Sequence, residues 1–420
     1  MAEAFRPEIL APAGDLQRLK TAVLFGADAV YVGGTKFGLR KNADNFNEAE
    51  LAAGIAFAHQ HGAKVYVTCN IHPLQRDWAD FAAYAATLQK LQPDALIIAD
   101  PGVARHIRNE TNLRIHVSTQ ASVLNSETAA LWRDRGASRV VTAREVTLEA
   151  AGAMRREAGV EIECFAHGAM CASFSGKCVI SNYTAGRDAN RGGCVQTCRN
   201  AFTVHEDRNT DSPVDFTAHT MNARDLMGIE YMPLFQQHRI DACKIEGRMK
   251  SAHYVALTVA AYRRAAEHSS GNPAVPAGND AQHYLNRLSN RGYSHGGLIE
   301  RPFIDSINLD FDGKPSDLVT VGQVHASDPE RGALIRLKAA LRIDQPLTIL
   351  RPDGSMLHFA IASLRDTKNR PQESMPIHRC AWVAAPAGID IPPYSVVWHD
   401  STQDGNDHNQ AKPLATGAKA

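Results

Sequence analysis

Eight short apolar runs alternate with amphipathic stretches along the first 266 residues, and this alternation constrains the fold more than any other feature. Between most runs, apolar residues recur at helical spacing, as Leu16, Leu19 and Val23 do in DLQRLKTAVLFG. Apolar strands separated by helices are typical of a parallel sheet that helices cover on both faces. We therefore predict an α/β fold, a (β/α)8 TIM-like barrel, with a doubly wound parallel sheet as the alternative. The runs occupy residues 8–14, 28–34, 63–70, 94–100, 114–120, 139–145, 161–168 and 240–248.

The rest of the chain divides into segments of different composition. The stretch SSGNPAVPAGND is typical of a linker, and short strands with turns follow it. After the seventh strand we expect a Cys-rich excursion, then a hairpin-like stretch and a helix from about residue 223 to 237. The predicted organisation is a barrel over 1–266 that carries the Cys-rich segment 164–200, a linker and helical connection over 267–316, a small β-barrel domain over 317–400 and a disordered, apolar-poor tail over 401–420.

Polar side chains follow the ends of the predicted strands. In a barrel of this type the carboxyl ends of the strands form the functional face, so these side chains should meet at one mouth. Each of them also has a structural alternative, in which an arginine pairs with a neighbouring acid or a carboxylate holds a loop. The candidates for proton transfer are His167, Glu145 and Glu246, and the candidates for substrate binding are Arg40, Arg144, Arg248 and Gln120.

Four of the eight cysteines lie in one glycine-rich stretch, residues 167–200. Cys171, Cys178, Cys194 and Cys198 have the spacing C-x6-C-x15-C-x3-C, which fits neither a zinc ribbon nor a zinc finger. Four thiolates hold a 4Fe–4S cluster at irregular spacing provided that they converge in space, and nearby Lys and Arg lower thiol pKa values. Structural zinc and unrelated free thiols are the alternatives. Cys243, near the end of the eighth predicted strand, is a possible replacement for one ligand.

Charge and hydropathy argue against a general polyanion binder and a membrane protein. The net charge is zero, although Lys177, Arg187, Arg191 and Arg199 make the Cys-rich segment locally basic. Apolar runs stay well short of the roughly 20 residues that span a bilayer, and the first residues lack the pattern of a secretory signal. We therefore expect a cytoplasmic protein without a membrane partner, in which thiols stay reduced.

Several separated motifs point to one known family. They are the opening ILAPAGDLQRLKTAVLFGADAVYVGG, then GLRKNADNF, HVSTQASVLN, TAREVTLE, ECFAHGAMCASFSGKCVIS, RGGCVQTCR and KIEGRMKSAHYV. In this order they resemble the collagenase-like family of peptidases of unassigned mechanism, family thirty-two. The resemblance covers most of residues 5–300 and is weaker in the C-terminal β region.

This resemblance implies a function and its cofactors. Within the family the chain most resembles the branch that forms 5-hydroxyuridine at the wobble position of tRNA, with prephenate as co-substrate and without molecular oxygen. Other branches hydroxylate ribosomal RNA or ubiquinone precursors. The resemblance implies a 4Fe–4S cluster held by Cys171, Cys178 and Cys194, with Cys198 matching the close-pair pattern for the variable fourth ligand. The implied partners are the tRNA anticodon loop, the iron–sulfur assembly machinery and a small dicarboxylate, which arginines bind through paired N–H groups.

Two other functions stay open, a collagenase-like peptidase and a non-catalytic RNA-binding or cluster-carrying protein. A peptidase needs an activated nucleophile or a metal-bound water, and a Cys171–His167 dyad would compete with ligation of a cluster by Cys171. Hydroxylation of a pyrimidine at C5 needs redox chemistry that a cofactor must supply. A wobble base is single-stranded, so aromatic side chains can stack on it. Tyr183, Phe174 and Phe37 are candidates for stacking, with ordinary packing as the alternative.

Overall fold

A parallel barrel forms the first part of the fold. A computed structural model describes residues 5–39, 44–204, 216–271, 280–310, 313–386 and 389–401. Seven consecutive strands lie side by side in sequence order, each parallel to the next. They are β1 (Glu8–Pro12), β2 (Ala29–Gly33), β3 (Lys64–Cys69), β4 (Ala95–Ile98), β5 (Arg114–Val117), β6 (Ala137–Val141) and β7 (Glu161–Gly168).

A long excursion separates the seventh barrel strand from the eighth. It contains a small antiparallel pair, β8 (Phe202–Val204) with β9 (Phe216–Ala218), and β10 (Asp225–Met227), which runs antiparallel to the end of β7. The barrel then closes with β11 (Ala242–Ile245), which is parallel to both β1 and β7. The predicted (β/α)8 barrel is therefore confirmed, and the doubly wound sheet is wrong because β11 joins the two ends.

Helices cover the outside of the barrel, and their ends carry the expected caps. Asn47 and Glu50 form a reciprocal capping box at the start of α2, and Gly62, with a φ of 74°, follows its C-cap. The helices are α1 (Leu16–Leu24), α2 (Glu48–Gln60), α3 (Trp78–Leu91), α4 (Pro101–Glu110), α5 (Ser126–Asp134), α6 (Leu148–Ala158), α7 (Ile180–Ala185), α8 (Met232–Gln237), α9 (Ala252–Ser269) and α10 (Asp280–Leu285).

One predicted helix is shorter than expected. The sequence predicted a helix from about residue 223 to 237, but only Met232–Gln237 is α-helical. Residues 225–227 form a strand instead, because Leu226 and Met227 pair with Gly168 and His167 at the end of β7. This pairing brings the chain back to the barrel mouth.

The C-terminal part is an antiparallel half-barrel with its own apolar core. Its seven-stranded sheet has the order β17-β16-β21-β13-β14-β20-β18, and β15 pairs with β19. It packs on α9 through His253, whose Nδ1 lies 2.8 Å from Thr320 Oγ1 and whose ring lies on Trp398. The strands are β12 (Tyr293–Ser294), which pairs with β10, and then β13 (Leu318–Asp328), β14 (Gly332–Arg336), β15 (Leu341–Arg342), β16 (Pro346–Leu350), β17 (Met356–Ala360), β18 (Leu364–Asp366), β19 (Ser374–Met375), β20 (Cys380–Val383) and β21 (Val396–Asp400).

Two further expectations concern the ends and the surroundings of the fold. The predicted tail lies outside the described residues, apart from Ser401. Of the helices in the described part of the chain, none is both long and apolar enough to span a membrane.

Candidate functional site

The barrel mouth holds a cavity of about 560 Å³, counting the space open to solvent. Its walls come from the carboxyl ends of the barrel strands, where the sequence predicted that polar side chains would meet. Four of the predicted site residues, Gln120, Arg144, Glu246 and Arg248, line it together. The other lining residues are Tyr31, Leu39, Thr68, Asn70, Ile97, Ser118, Thr119, Phe165 and Lys244.

Lys244 forms the floor of this cavity. Its Nζ donates to Glu163 Oε1 at 2.7 Å, and Glu163 is fully buried inside the barrel. The ammonium group also lies 4.6 Å from the ring centre of Tyr31 and 5.6 Å from that of Phe165. Aromatic faces attract cations, so the position of this charge is fixed from below and from both sides.

Below Lys244, a series of ion pairs lies inside the barrel. Arg139 Nη1 lies 3.5 Å from Glu163 Oε2 and 2.6 Å from Glu8 Oε1. Lys64 Nζ lies 3.1 Å from the other oxygen of Glu8. Burial by itself raises the pKa of Glu8, but Arg139 and Lys64 outweigh burial and hold the pKa below its ordinary value. Glu8 therefore stays ionised between two cations.

Glu246 projects from the end of the eighth barrel strand into the cavity wall. Tyr31 Oη donates to Glu246 Oε2 at 2.8 Å, and Tyr254 Oη donates to the backbone carbonyl of Glu246 at 2.8 Å. The carboxylate is thus oriented by a tyrosine that itself lines the cavity. A carboxylate in such a position can accept a proton from a bound molecule.

Two arginines line the cavity, Arg248 and Arg144, and they differ in their hydrogen bonds. Arg248 donates from Nη1 to Thr68 Oγ1 and from Nη2 to Asn45 Oδ1, each at 3.1 Å. A Cβ atom on Gly33 would lie only 2.3 Å from Arg248 Nη1, so the glycine leaves the room that the guanidinium occupies.

Arg144 has a different environment. Its guanidinium carbon lies 4.3 Å from the ring centre of Phe165, and its Nε is buried without a hydrogen-bond partner. Among the described residues, no carboxylate lies within 4.0 Å of it. A buried donor without an acceptor is costly, and a bound carboxylate or phosphate would supply the acceptor.

Glu145 lies outside the cavity lining and anchors the Cys-rich segment. Its Oε1 accepts from the backbone N–H of Ser175 at 2.9 Å, while Ser175 Oγ accepts from the N–H of Arg144 at 3.0 Å. Gly176, with a φ of 74°, packs so closely that a Cβ atom there would lie 2.1 Å from the carbonyl oxygen of Gln120. We call Ser175 and Gly176, with these contacts, the anchor point.

His167, the third candidate for proton transfer, also lies outside the cavity lining. Its ring is buried and packs on the tyrosines at 254, 262 and 293. Burial lowers the pKa of His167 to about 4. Its Nδ1 lies 3.3 Å from Tyr262 Oη, and its Nε2 has no hydrogen-bond partner among the described residues. The structure therefore does not pair His167 with Cys171 or with a serine nucleophile.

The four cysteines of the Cys-rich segment have chemistry that suits a cluster. Burial raises the pKa of the Cys198 thiol, and nearby Cys171 and Cys194 raise it further, so these three lie in one neighbourhood. Arg199 and Arg291 act in the opposite direction and would offset thiolate charge. In the described part of the chain, no three His, Cys, Asp or Glu side chains are arranged to hold a metal ion. The donor set fits a cluster in chemical type, while the sulfurs would have to draw closer to bind it.

Cys243, the alternative ligand, lies fully buried in β11. Its Sγ is 3.8 Å from the sulfur of Met232, and burial raises its pKa well above the ordinary thiol value. A thiol in such apolar surroundings resists the ionisation that ligation requires. This environment favours Cys198 over Cys243.

Three other residues from the sequence analysis have different outcomes. Arg40 lies outside the described residues. Tyr183 is 88% exposed and Phe174 is 47% exposed, so both are available for stacking. Phe37 is instead buried against Phe81 and Tyr84.

The sequence marked Lys244 as part of a basic group with Arg248 and Lys250 that could hold phosphates, with solvated loop charge as the alternative, and missed Tyr31 and Phe165 as parts of the site. Lys244, Glu246 and Arg248 alternate along the chain, and all three line the cavity. Lys244 lies on β11, while Glu246 and Arg248 lie just beyond its end. Nothing in the sequence marks Phe165 or Tyr31, which look like ordinary strand residues.

A serine motif also needs a structural explanation. Residues 292–296, GYSHG, have the G-x-S-x-G spacing of a nucleophile elbow, which requires a sharp turn from a strand into a helix. Ser294 instead ends the two-residue strand β12, and a turn follows it without a helix. Its Oγ accepts from the N–H of Gly296 at 3.3 Å. The motif is therefore not an elbow.

The fold and the site define an α/β-barrel protein with a cationic, enzyme-like mouth. A family model described as Peptidase family U32 matches residues 14–308, and the chain belongs to this family.

Curated relatives carry more specific names. The chain is 41% identical over 273 residues to tRNA hydroxylation protein P1 of Bacillus subtilis, a match that covers 64% of this chain and 65% of that protein. It is 30% identical to tRNA hydroxylation protein P of Escherichia coli, over 92% of this chain and 95% of that protein. It is 36% identical to the 23S rRNA 5-hydroxycytidine C2501 synthase of Escherichia coli, over 62% of this chain and 39% of that protein.

Proposed function

We propose that this chain hydroxylates RNA and that its product is 5-hydroxyuridine at the wobble position of tRNA. The observation that carries the proposal is Arg144, a cation at the barrel mouth with a buried donor and no acceptor among the described residues. The names of the relatives supply the substrate class, since they refer to hydroxylation of tRNA or ribosomal RNA.

Prephenate, as co-substrate and oxygen donor, is the small dicarboxylate that we assign to the cavity. Arg144 and Arg248 both line it, and a guanidinium binds a carboxylate through two parallel N–H groups. Lys244 lies at the floor of the same cavity and is already paired with Glu163. A carboxylate there would supply the acceptor that Arg144 Nε lacks among the described residues.

Glu246 is the group that we assign to proton transfer. When C5–H of uridine becomes C5–OH, the base is oxidised by two electrons, while the oxygen donor loses its C–O bond and is reduced by two electrons. A carboxylate in the cavity wall can accept the proton that leaves C5 and pass it to the reduced donor. Tyr31 keeps Glu246 Oε2 in place through its 2.8 Å hydrogen bond. The wobble base would reach the mouth from a single-stranded loop, where the exposed ring of Tyr183 offers a surface for stacking.

We assign a 4Fe–4S cluster, delivered by the iron–sulfur assembly machinery, to Cys171, Cys178, Cys194 and Cys198. When bound, such a cluster supplies one-electron redox chemistry that protein side chains lack. Support comes from the shared neighbourhood of three of these thiols. Protein purified without oxygen should be brown, with broad absorption near about 400 nm. Colourless protein without iron would contradict this assignment.

Nucleoside analysis tests the proposed function. In a deletion strain that lacks any oxygen-dependent enzyme with the same product, we expect 5-hydroxyuridine and its derivatives to disappear from tRNA. The wild-type gene should restore them, Arg144→Gln should not, and Arg105→Gln should, because Arg105 is an exposed arginine on α4. Unchanged nucleosides in the deletion strain would contradict the proposal.

The same strains distinguish the remaining functions. A ribosomal RNA hydroxylase would leave tRNA unchanged and remove a hydroxylated nucleoside from ribosomal RNA. A non-catalytic RNA-binding protein would bind tRNA yet modify nothing when supplied with reductant and prephenate. A peptidase would degrade gelatin as purified protein, with activity lost on a single Cys or His substitution.

A further inference from the structure

A second cavity lies beside the Cys-rich segment. It measures about 1150 Å³, counting the space open to solvent, and four separate parts of the chain contribute cations to it. These cations are Arg199, Lys250, Arg291 and Lys314. We call this cavity the basic groove.

The basic groove has an excess of positive charge. Asp225 is the one carboxylate among the described residues that line it, and Arg291 pairs with it at 2.6 Å. Lys250 and Lys314 therefore have no balancing carboxylate among the described residues of the lining. No described carboxylate lies within 4.0 Å of the ammonium groups of Lys250 and Lys314. Because the chain as a whole is neutral, this concentration of charge is local.

The groove is also held in shape by hydrogen bonds. Lys250 Nζ donates to the carbonyl of Ser289 at 3.1 Å and lies 5.3 Å from the ring centre of Tyr254. The backbone of Lys314 forms an antiparallel bridge with that of Asn290, and this bridge fixes the position of Lys314 at the groove. Burial lowers the pKa of Lys250, and the neighbouring cations Arg199 and Arg291 lower it further, while Asp225 opposes them. A bound anion would relieve this repulsion.

We propose that the basic groove binds the sugar-phosphate backbone of the RNA substrate next to the Cys-rich segment. This proposal rests on the proposed function. Lys250 and Lys314 come from separate parts of the chain, and two ammonium groups along a wide, open cavity match successive phosphates better than one small anion. Backbone contacts of this kind position a nucleic acid without reading its sequence. The groove lies outside the barrel mouth, so it would position the strand while the mouth receives the base.

Salt-dependent binding tests the groove. The probe is an unmodified tRNA transcript, and the variant is Lys250→Gln with Lys314→Gln, because glutamine keeps a hydrogen-bond donor and loses the charge. Arg199 stays unchanged because it follows Cys198. Each lost phosphate contact lowers the slope of log affinity against log salt by about 0.7 to 0.9. We expect a slope lower by about 1.4 to 1.8, and affinity weaker by roughly tenfold at physiological salt.

Two matched variants control for charge and folding. Lys250→Arg with Lys314→Arg keeps the charge and should keep the wild-type slope. Lys90→Gln with Lys368→Gln removes two exposed lysines far from the groove in sequence and should also keep it. All variants should melt at the wild-type temperature.

A wild-type slope and affinity in the Gln double variant would overturn the groove as an RNA site while leaving the proposed function intact. Absence of tRNA binding by the wild-type protein would also overturn it. In either case the nucleoside profile of the deletion strain tests the proposed function separately.

Discussion

The lower interior of the barrel and its mouth are built from the same eight strands but treat charge differently. Below, Arg139, Glu8, Glu163 and Lys244 form a continuous set of ion pairs. Above, Arg144 has a buried Nε without an acceptor among the described residues. A scaffold that pairs the buried charges of its interior but leaves a buried donor of Arg144 without an acceptor at its mouth has a place there for an anionic ligand.

The largest effect should come from breaking the lower layer. Glu163→Ala leaves Lys244 buried without its carboxylate, which should cost about 3 to 5 kcal/mol of unfolding free energy. The control is Glu161→Gln, which removes a partly exposed carboxylate from the same Arg139 and should cost about 0 to 1 kcal/mol. Urea denaturation of both variants measures the difference. Equal costs would mean that the layer is not a structural unit.

Changing Arg144 should instead reduce activity and spare stability. Arg144→Gln removes the cation that we assign to a carboxylate, and loss of such a charge-assisted contact should lower kcat/KM for the co-substrate by roughly 10²-fold. Unfolding free energy should stay near the wild-type value, because Arg144 forms no ion pair with a described residue. Full activity in this variant would contradict the assignment of Arg144 to a carboxylate of the co-substrate.

His167 is a buried group outside the cavity lining, and the pH dependence of stability tests whether its role is structural. Its pKa is about 4 in the folded protein against an ordinary value of 6.5, so the unfolded state takes up the proton first as pH falls. Stability that is present above pH 6.5 is therefore lost between pH 6.5 and 4, by about 2 kcal/mol from pH 7 to pH 5.

His167→Gln should remove this part of the pH dependence in urea denaturation at the two pH values. Burial also lowers the pKa of His253, to about 3, but its contribution is the same in both proteins and cancels. An unchanged pH dependence, together with loss of hydroxylation at constant stability, would place His167 in the reaction rather than in the structure.

The smallest effect should come from Tyr31→Phe. The variant removes the hydroxyl that donates to Glu246 Oε2 and keeps the ring that faces Lys244. Loss of one such hydrogen bond should cost about 1 kcal/mol of unfolding free energy. If Glu246 transfers the proton, the pH profile of kcat should also shift, because the carboxylate loses a donor. A profile identical to that of the wild type would argue against this role.

The sequence predicted the barrel well because its signal is local. Each strand is a short apolar run, and its carboxyl end is marked by a polar residue such as Gln120 or Arg144. Those ends meet in one cavity, as closure of the barrel requires. The helix expected from residue 223 was wrong because β7 offers a pairing partner that no local pattern in residues 223–227 indicates.

The charged interior could not be predicted in the same way. Glu163 and Lys244 lie in adjacent, sequence-distant strands, and each looks like the polar side of a half-exposed strand. Only closure of the barrel turns both inward, where their distance of 2.7 Å makes the pairing favourable. Likewise, the spacing of four cysteines shows which thiols are available but not how far apart they lie.

The anchor point at Ser175 and Gly176 has a consequence for how the Cys-rich segment can vary. The segment is fixed to the ends of β5 and β6 at Ser175 and Gly176, and it is fixed again at Arg191, which pairs with Asp77 at 2.7 Å. Extra residues inserted in the exposed stretch 182–187, between these two fixed points, would extend into solvent and leave the cavity wall unchanged. A side chain at position 176 would instead push against the carbonyl of Gln120 and displace that wall. The Cys-rich segment can therefore vary in length between its two fixed points, whereas position 176 requires glycine.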